Sequence, residues 1–328
     1  MNMSNIGRRI TIISGAALLS LGVAGAAIAQ QAFPSGPVTI IVPYPPGGTT
    51  DIYSRLVGAA LQERLGTPFI IQNMPGGSTQ IAADYVSRSE PDGHTLLMAT
   101  ITTMSMNPLT FQNLTYDPDD LIPVGLIARQ SYALVVTPDF PANSVEELIA
   151  YAQENPGEIN YASLGVGSST HLVTELFRTV TGIDIEPVHY AGSAAALTAV
   201  MSGESQMNFD GITTALTRMA DGQLRGLAMT GSEPVEIAPD LPVIADTYPD
   251  MVAYTWYGLV AARGTPDDVV EFLNAEINAV IAQDDLQERF FNDAVTPSTM
   301  NAAEFGEMIA ADTEQWRPIV EMLDISLD

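Results

Sequence analysis

Three stretches of glycine and hydroxylated residues stand where a strand hands over to a helix. The first is Gly47-Gly48-Thr49-Thr50-Asp51, which follows the β-branched run Val38 to Val42 and the turn residues Pro43 to Pro46. The second is Gly165 to Thr170, ending in Ser168, Ser169 and Thr170 with His171 next. The third is Gly192-Ser193, just after Tyr190. A helix start leaves backbone N–H groups without intrahelical partners and carries partial positive charge, so it suits an anion. With Ser and Thr hydroxyls beside it, such a junction can hold a small carboxylate without a full counter-charge. Thr100, Thr102 and Thr103 lie at or just past a strand end and are expected to join this lining. Asp210 ends another strand, where it suits an amino group on the ligand. Asp51 is expected to cap its helix or orient a water rather than touch an anion.

Other chemistries find little support. There is no cysteine, which excludes disulfides, thiol catalysis and Cys-bound metal. All twelve cations are arginine, and the missing lysine excludes a Walker A phosphate loop and Schiff-base catalysis. His94, His171 and His189 lack metal-binding spacing. Gly165 to Thr170 nearly spells a dinucleotide fingerprint, but Thr170 replaces the last Gly and no acid follows at the right strand end. No nucleophile-elbow motif and no Ser/His/Asp constellation stands out. The expected catalytic set, metal set and cofactor are therefore none.

The elements that must position these junctions alternate along the chain. Strands are expected at Val38–Val42, 67–71, 95–100, 121–128, 132–136, 159–163, 185–190, 206–210 and 224–229. Helices are expected between them. Ile52, Leu56, Ala60 and Leu61 mark the apolar stripe of the first, and Leu172, Leu176 and Val180 that of the helix after the second junction. Ser144 to Glu147 reads as a capping box, Thr265-Pro266-Asp267-Asp268 as a helix start with Thr265 at the cap, and Asn301 to Glu304 as another helix start. The stretch 107–120 is rich in turns. The alternation predicts an α/β fold of parallel sheets with helices on both faces. Its 328 residues suit two domains. The chain is expected to cross between them near Arg129-Gln130-Ser131 and again over 251–262. The second domain, 131–251, is then inserted into the first, 33–130 with 252–328.

Residues 1–29 read as a signal peptide: Arg8-Arg9, an apolar run from Ile10 to Gly25, then Ala27-Ile28-Ala29. This predicts export without a membrane anchor. A formal net charge of −27 makes nucleic acid an unsuitable partner and implies a solvated acidic surface.

These residues bring the chain to a resemblance. It is similar to the substrate-binding subunit of tripartite tricarboxylate transporters, the Bug family. The resemblance is carried by Phe33-Pro34, Pro37 to Pro43, Pro46 to Ile52 with Arg55, Leu65-Gly66, Asn73-Met74-Pro75-Gly76-Gly77, Pro91 to Leu97, Gly167 to His171 and Tyr190 to Ser193. It implies a two-lobed periplasmic binding protein, type II-like, with the ligand cleft between the lobes. The implied ligand is a di- or tricarboxylate, an aromatic carboxylate or an acidic amino acid. The implied partner is a set of membrane transporter subunits, and the protein is expected to be a monomer. Ligand contacts would come from Gly47, Gly48, Thr49, Thr50 and Asp51, from the facing Ser168, Ser169, Thr170 and His171, and from Tyr190, Gly192 and Ser193. Met74, His94 and Ala191 stand where the family usually has Arg, Tyr and Lys. A periplasmic sensor feeding a signalling partner, or an enzyme on the same scaffold, would use the same junctions.

Overall fold

The computed structural model describes residues 33–328; the expected signal peptide lies outside them. The first βα units are β1 (Val38–Val42), α1 (Thr49–Leu65), β2 (Phe69–Asn73), α2 (Gln80–Ser87) and β3 (Thr95–Thr100). A π-turn over Thr102–Met106 runs into the short α3 (Asn107–Thr110) and then β4 (Leu121–Val136). Next come α4 (Val145–Glu154), β5 (Ile159–Ser163), α5 (Ser169–Thr181), β6 (Ile185–His189), α6 (Ser193–Ser202), β7 (Met207–Gly211), α7 (Ile212–Ala220) and β8 (Arg225–Met229). The chain returns through β9 (Tyr254–Ala262), α8 (Asp267–Ile281), α9 (Asp284–Asn292), β10 (Thr296–Pro297) and α10 (Ala302–Leu323).

The strands follow the order β2-β1-β3-β9-β4-β7-β5-β6, with β8 and β10 also paired to β4. β1 is parallel to β2 and β3, and β5 to β6 and β7, as right-handed βα units require. The expectation of purely parallel sheets fails at the middle. There β9 runs antiparallel to β3 and β4, and β4 antiparallel to β7 and β8. β4 carries the chain away from the first strands and β9 brings it back beside them, so the two run antiparallel.

The two strands expected at 121–128 and 132–136 are one 16-residue strand. Arg129, Gln130 and Ser131 pair with Trp256, Thr255 and Tyr254 of β9 without a break. Beyond them, Tyr132 to Val136 pair with β7 on one side, and Ala133 to Val136 with β8 on the other. The polar triplet stays in the strand as the last pairs of the β4–β9 ladder, just before β4 changes partners to β7 and β8, because backbone pairing outweighs the low strand propensity of its side chains. Along β4, Leu134 and Val136 join one core cluster while Ala133 and Val135 join another. Period-two burial on both faces means helices cover both sides here.

Local signals explain most helix starts. Asn301 and Glu304 form the full capping box, each side chain accepting the other's backbone N–H at 2.9 Å. Ser144 accepts from the Glu147 N–H, but Glu147 reaches back to Asn143 instead of Ser144. Thr265 does not cap α8; its hydroxyl donates to the Ala262 carbonyl, and the helix begins after Pro266. Of the expected α1 stripe, Ala60 and Leu61 are buried in the core, while Tyr53 and Val57 take the places expected of Ile52 and Leu56.

The last residues return to the middle of the molecule. Leu327 N–H donates to the Thr110 carbonyl (2.7 Å), and its own carbonyl accepts from Gln112 N–H (2.9 Å). The Leu327 side chain and the Phe111 ring lie against Gly167, where a Cβ would sit 2.7 Å and 3.1 Å from them.

Gly258 in β9 shows how tightly the crossing strands pack. A Cβ there would lie 2.4 Å from the fully buried Phe305 ring and 3.1 Å from the Gly125 carbonyl. Phe305 is itself held edge-on against Trp256, so it has little room to yield. Gly258→Ala is expected to lower stability by about 1–3 kcal/mol in chemical denaturation, the usual cost of overpacking.

Candidate functional site

The first junction loop is built around one carboxylate. Asp51 Oδ2 accepts from Gly47 N–H (3.1 Å) and from Arg55 Nε (3.0 Å), and Oδ1 accepts from Asn73 Nδ2 (2.9 Å) and Arg55 Nη2 (2.8 Å). Asn73 also donates to the Tyr44 carbonyl, so β2 holds both ends of the turn that leads into α1. Burial pushes the Asp51 carboxyl up, but Arg55, Asn73 and the Gly47 amide outweigh it and hold it below the ordinary value. Its charge is met inside the loop, and Asp51 lies outside the cavity lining described below. Gly47 takes a left-handed φ of 93°, which favours glycine at that turn.

The second junction is held by Ser168 and His171. Ser168 Oγ accepts from His171 N–H (3.3 Å) as the N-cap of α5, and His171 Nδ1 accepts from Gly167 N–H (3.1 Å). Burial, with His189 packed edge-on at 5.0 Å, pushes the His171 pKa down to about 4. The imidazole therefore stays neutral at pH 7 and keeps accepting. Thr170 Oγ1 accepts from Leu164 N–H (2.9 Å), which pins the entry to the loop. The Ser169 N–H reaches across to Thr102 Oγ1 (3.1 Å), joining this junction to the far side of the cleft.

Between the junctions lies a cavity lined by Tyr44, Pro45, Gly48, Thr49, Thr50, Thr100, Tyr132, Leu164, Ser169, Thr170, Ser193, Asp210, Gly211, Thr255 and Tyr257. Its interior is about 40 Å³, room for a few water-sized groups. Four helices start at its wall: α1 at Gly48, α5 after Ser168, α6 at Ser193 and α7 after Gly211. The four starts meet at one small volume with their positive ends, where the Ser169 amide is already taken by Thr102 and the Gly211 amide by Asp210. Thr100 Oγ1 and Tyr132 Oη are buried in the wall, and no geometric hydrogen bond reaches them among the described residues. Burial raises the phenols of Tyr44, Tyr132 and Tyr257 above their ordinary value, so they remain protonated donors.

Asp210 is the one charged residue of the wall and is 2% exposed. Its Oδ1 accepts from Gly211 N–H (2.9 Å), and its Oδ2 from the hydroxyls of Ser193 and Thr214. Burial pushes its pKa up to about 6 against these donors.

Eight residues named from the sequence line the cavity: Gly48, Thr49, Thr50, Thr100, Ser169, Thr170, Ser193 and Asp210. The other eight do not. Gly47, Asp51, Ser168 and His171 shape the two loops from behind. Thr102 takes the Ser169 amide, and Thr103 donates to Thr79 Oγ1 (3.0 Å), because the π-turn carries both away from the strand end. Tyr190 turns outward to Ser205 and Glu204. Gly192 packs on Pro45, where a Cβ would meet the ring at 2.9 Å. The lining residues missed are Tyr44, Pro45, Tyr132, Leu164, Gly211, Thr255 and Tyr257. Three of them lie on the crossing strands β4 and β9. Among the described residues no group of three His, Cys, Asp or Glu is placed to hold a metal ion. No helix there is long and apolar enough to cross a membrane.

Comparison with known proteins adds relatives to this geometry. The family model described as the tripartite tricarboxylate transporter family receptor matches residues 53–325. Protein BugT of Bordetella pertussis is 30% identical over 323 residues, covering 98% of each chain. An R. palustris protein solved with adipate superposes with a TM-score of 0.88 at 33% identity, over 90% of this chain and all of the other. MatC from Rhodopseudomonas palustris, solved with malate, gives 0.84 at 29% identity, over 88% of this chain and all of the other.

The Asp51 clamp has a measurable signature. Because its folded pKa is depressed, its contribution is full above the ordinary carboxylate value and is lost as pH falls through the folded one. Asp51→Asn is expected to lower stability at pH 7 by about 1–3 kcal/mol, and the gap to the unmodified protein should close towards pH 3 in parallel denaturation series.

Proposed function

This chain belongs to the tripartite tricarboxylate transporter receptor family, and from that premise we propose that it captures a small organic carboxylate in the periplasm and delivers it to a membrane transporter. The observation that carries this reading is the convergence of four helix starts on a hydroxyl-rich cavity that holds no cation. Oriented N–H groups and positive helix ends stabilise a carboxylate where an arginine is absent. The adipate and malate in the two solved relatives support the same ligand class.

The ligand-binding residues in this reading are the wall residues themselves, with Asp51, Arg55, Asn73, Ser168 and His171 as positioning residues behind them. The lobes are taken as 33–130 with 252–328, and 131–251, and residues 1–29 as the exported leader. The protein acts as a monomeric receptor rather than an enzyme. A ligand that bridges α1 on one lobe and α5 and α6 on the other favours the closed form, and the transporter subunits recognise that form.

A thermal-shift screen of mono-, di- and tricarboxylates, amino acids and sugars tests the ligand class. Carboxylates should raise the melting temperature; a response to sugars alone would overturn the reading. Thr50, which is 7% exposed at the first turn of α1, offers a sharper test. Thr50→Val keeps the shape and removes the hydroxyl. Loss of a hydrogen bond to a charged group costs about 1.5–3 kcal/mol, so affinity by calorimetry should fall roughly ten- to a hundred-fold.

A further inference from the structure

We infer, resting on the carboxylate reading above, that the ligand presents a hydrogen-bond donor to Asp210, an ammonium ahead of a hydroxyl. The site then prefers amino- and hydroxycarboxylates to the plain dicarboxylate of the same carbon skeleton. The argument is one of charge and direction. The cavity wall has fifteen residues, of which Asp210 alone is charged; none is Arg or His, and the chain has no Lys. The helix starts supply donors for a carboxylate. A second anionic group reaching across so small a volume would come beside the buried Asp210 with nothing to neutralise either.

An ammonium in the same place meets a different wall. Each carboxylate oxygen offers about two acceptor sites. Asp210 Oδ1 spends one on Gly211 N–H, which leaves a site for the ligand. Ser193 from α6 and Thr214 from α7 hold Oδ2, so the carboxylate is fixed in direction before any ligand arrives. The titratable groups that face it are the phenols of Tyr132 on β4 and Tyr257 on β9. Both feel its charge, and burial keeps both protonated. A ligand that carries its carboxylate at the helix starts and its ammonium at Asp210 places opposite ends against opposite partners. A dicarboxylate places like against like.

Calorimetry on the whole protein with skeleton-matched sets of three to six carbons tests this; the four-carbon set is succinate, malate and aspartate. At pH 7.5 at least one amino or hydroxy member is expected to bind about tenfold or more tighter than its plain dicarboxylate. In Asp210→Asn that advantage should shrink to within about threefold. A second measurement needs no variant. Between pH 7.5 and 5.5 the carboxyls of aspartate, near 3.9 in the side chain, keep their ionisation while Asp210 begins to take up a proton. Affinity for the amino member should therefore fall severalfold over that range. Equal affinity for the plain dicarboxylate, or an advantage unchanged by both Asp210→Asn and acid, would overturn the inference and leave the carboxylate reading standing. No binding by any carboxylate of the sets would overturn both.

Discussion

The β4–β9 ladder is the constraint on which the rest of this structure depends. β4 is a single strand long enough to belong to two sheets, and β9 runs back along its first part. Every helix start at the cavity is placed by its distance from this pair. α1 follows β1, two strands from β9; α6 and α7 flank β7, which pairs directly with β4. Because the ladder is hydrogen-bonded through Arg129, Gln130 and Ser131, its position cannot drift without breaking several backbone bonds together. The walls of the cavity are therefore set by strand register, and only the loops at their tips are free to be tuned.

A web of polar side chains ties the ladder to the helices on the other face. Gln130 joins Tyr257 and Thr213, and Thr213 meets Tyr53, whose hydroxyl donates to Asp293. These are buried groups, with Asp293 half-buried at the edge, that satisfy one another, which gives the junction of the two sheets a single arrangement. The arginines are placed differently. Arg55, Arg64, Arg88, Arg178, Arg263, Arg289 and Arg317 each pair with an acid. In so acidic a chain the cations are absorbed by neighbours, and the cavity is left to backbone dipoles and hydroxyls.

Half of the candidate site was legible in the sequence for a definite reason. Thr49, Thr50, Ser169, Thr170 and Ser193 belong to helix starts, and helix starts announce themselves through small capping residues after a β-branched run. Their chemistry and their position are the same fact. Tyr132, Thr255 and Tyr257 carry no such mark. They look like core strand residues, and which of them faces the cavity depends on the register of β4 against β9, a long-range property. Thr102 and Thr103 were drawn in by their place after a strand, yet a π-turn rotates them aside. The fold followed the same division. Alternation gave the α/β class and the parallel units, while the antiparallel middle is a consequence of topology that local pattern does not encode.

The contact of Leu327 and Phe111 with Gly167 bears on how the cleft works as a mechanical device. Gly167 belongs to the loop that feeds α5, on the opposite side of the cavity from the first junction. Any separation of the two sides must expose this apolar contact to water as well as release the Ser169–Thr102 bond. In the receptor role proposed above, this contact and this bond would supply part of the closing force independently of cargo, and ligands of different chemistry and modest affinity would then produce the same closed outline.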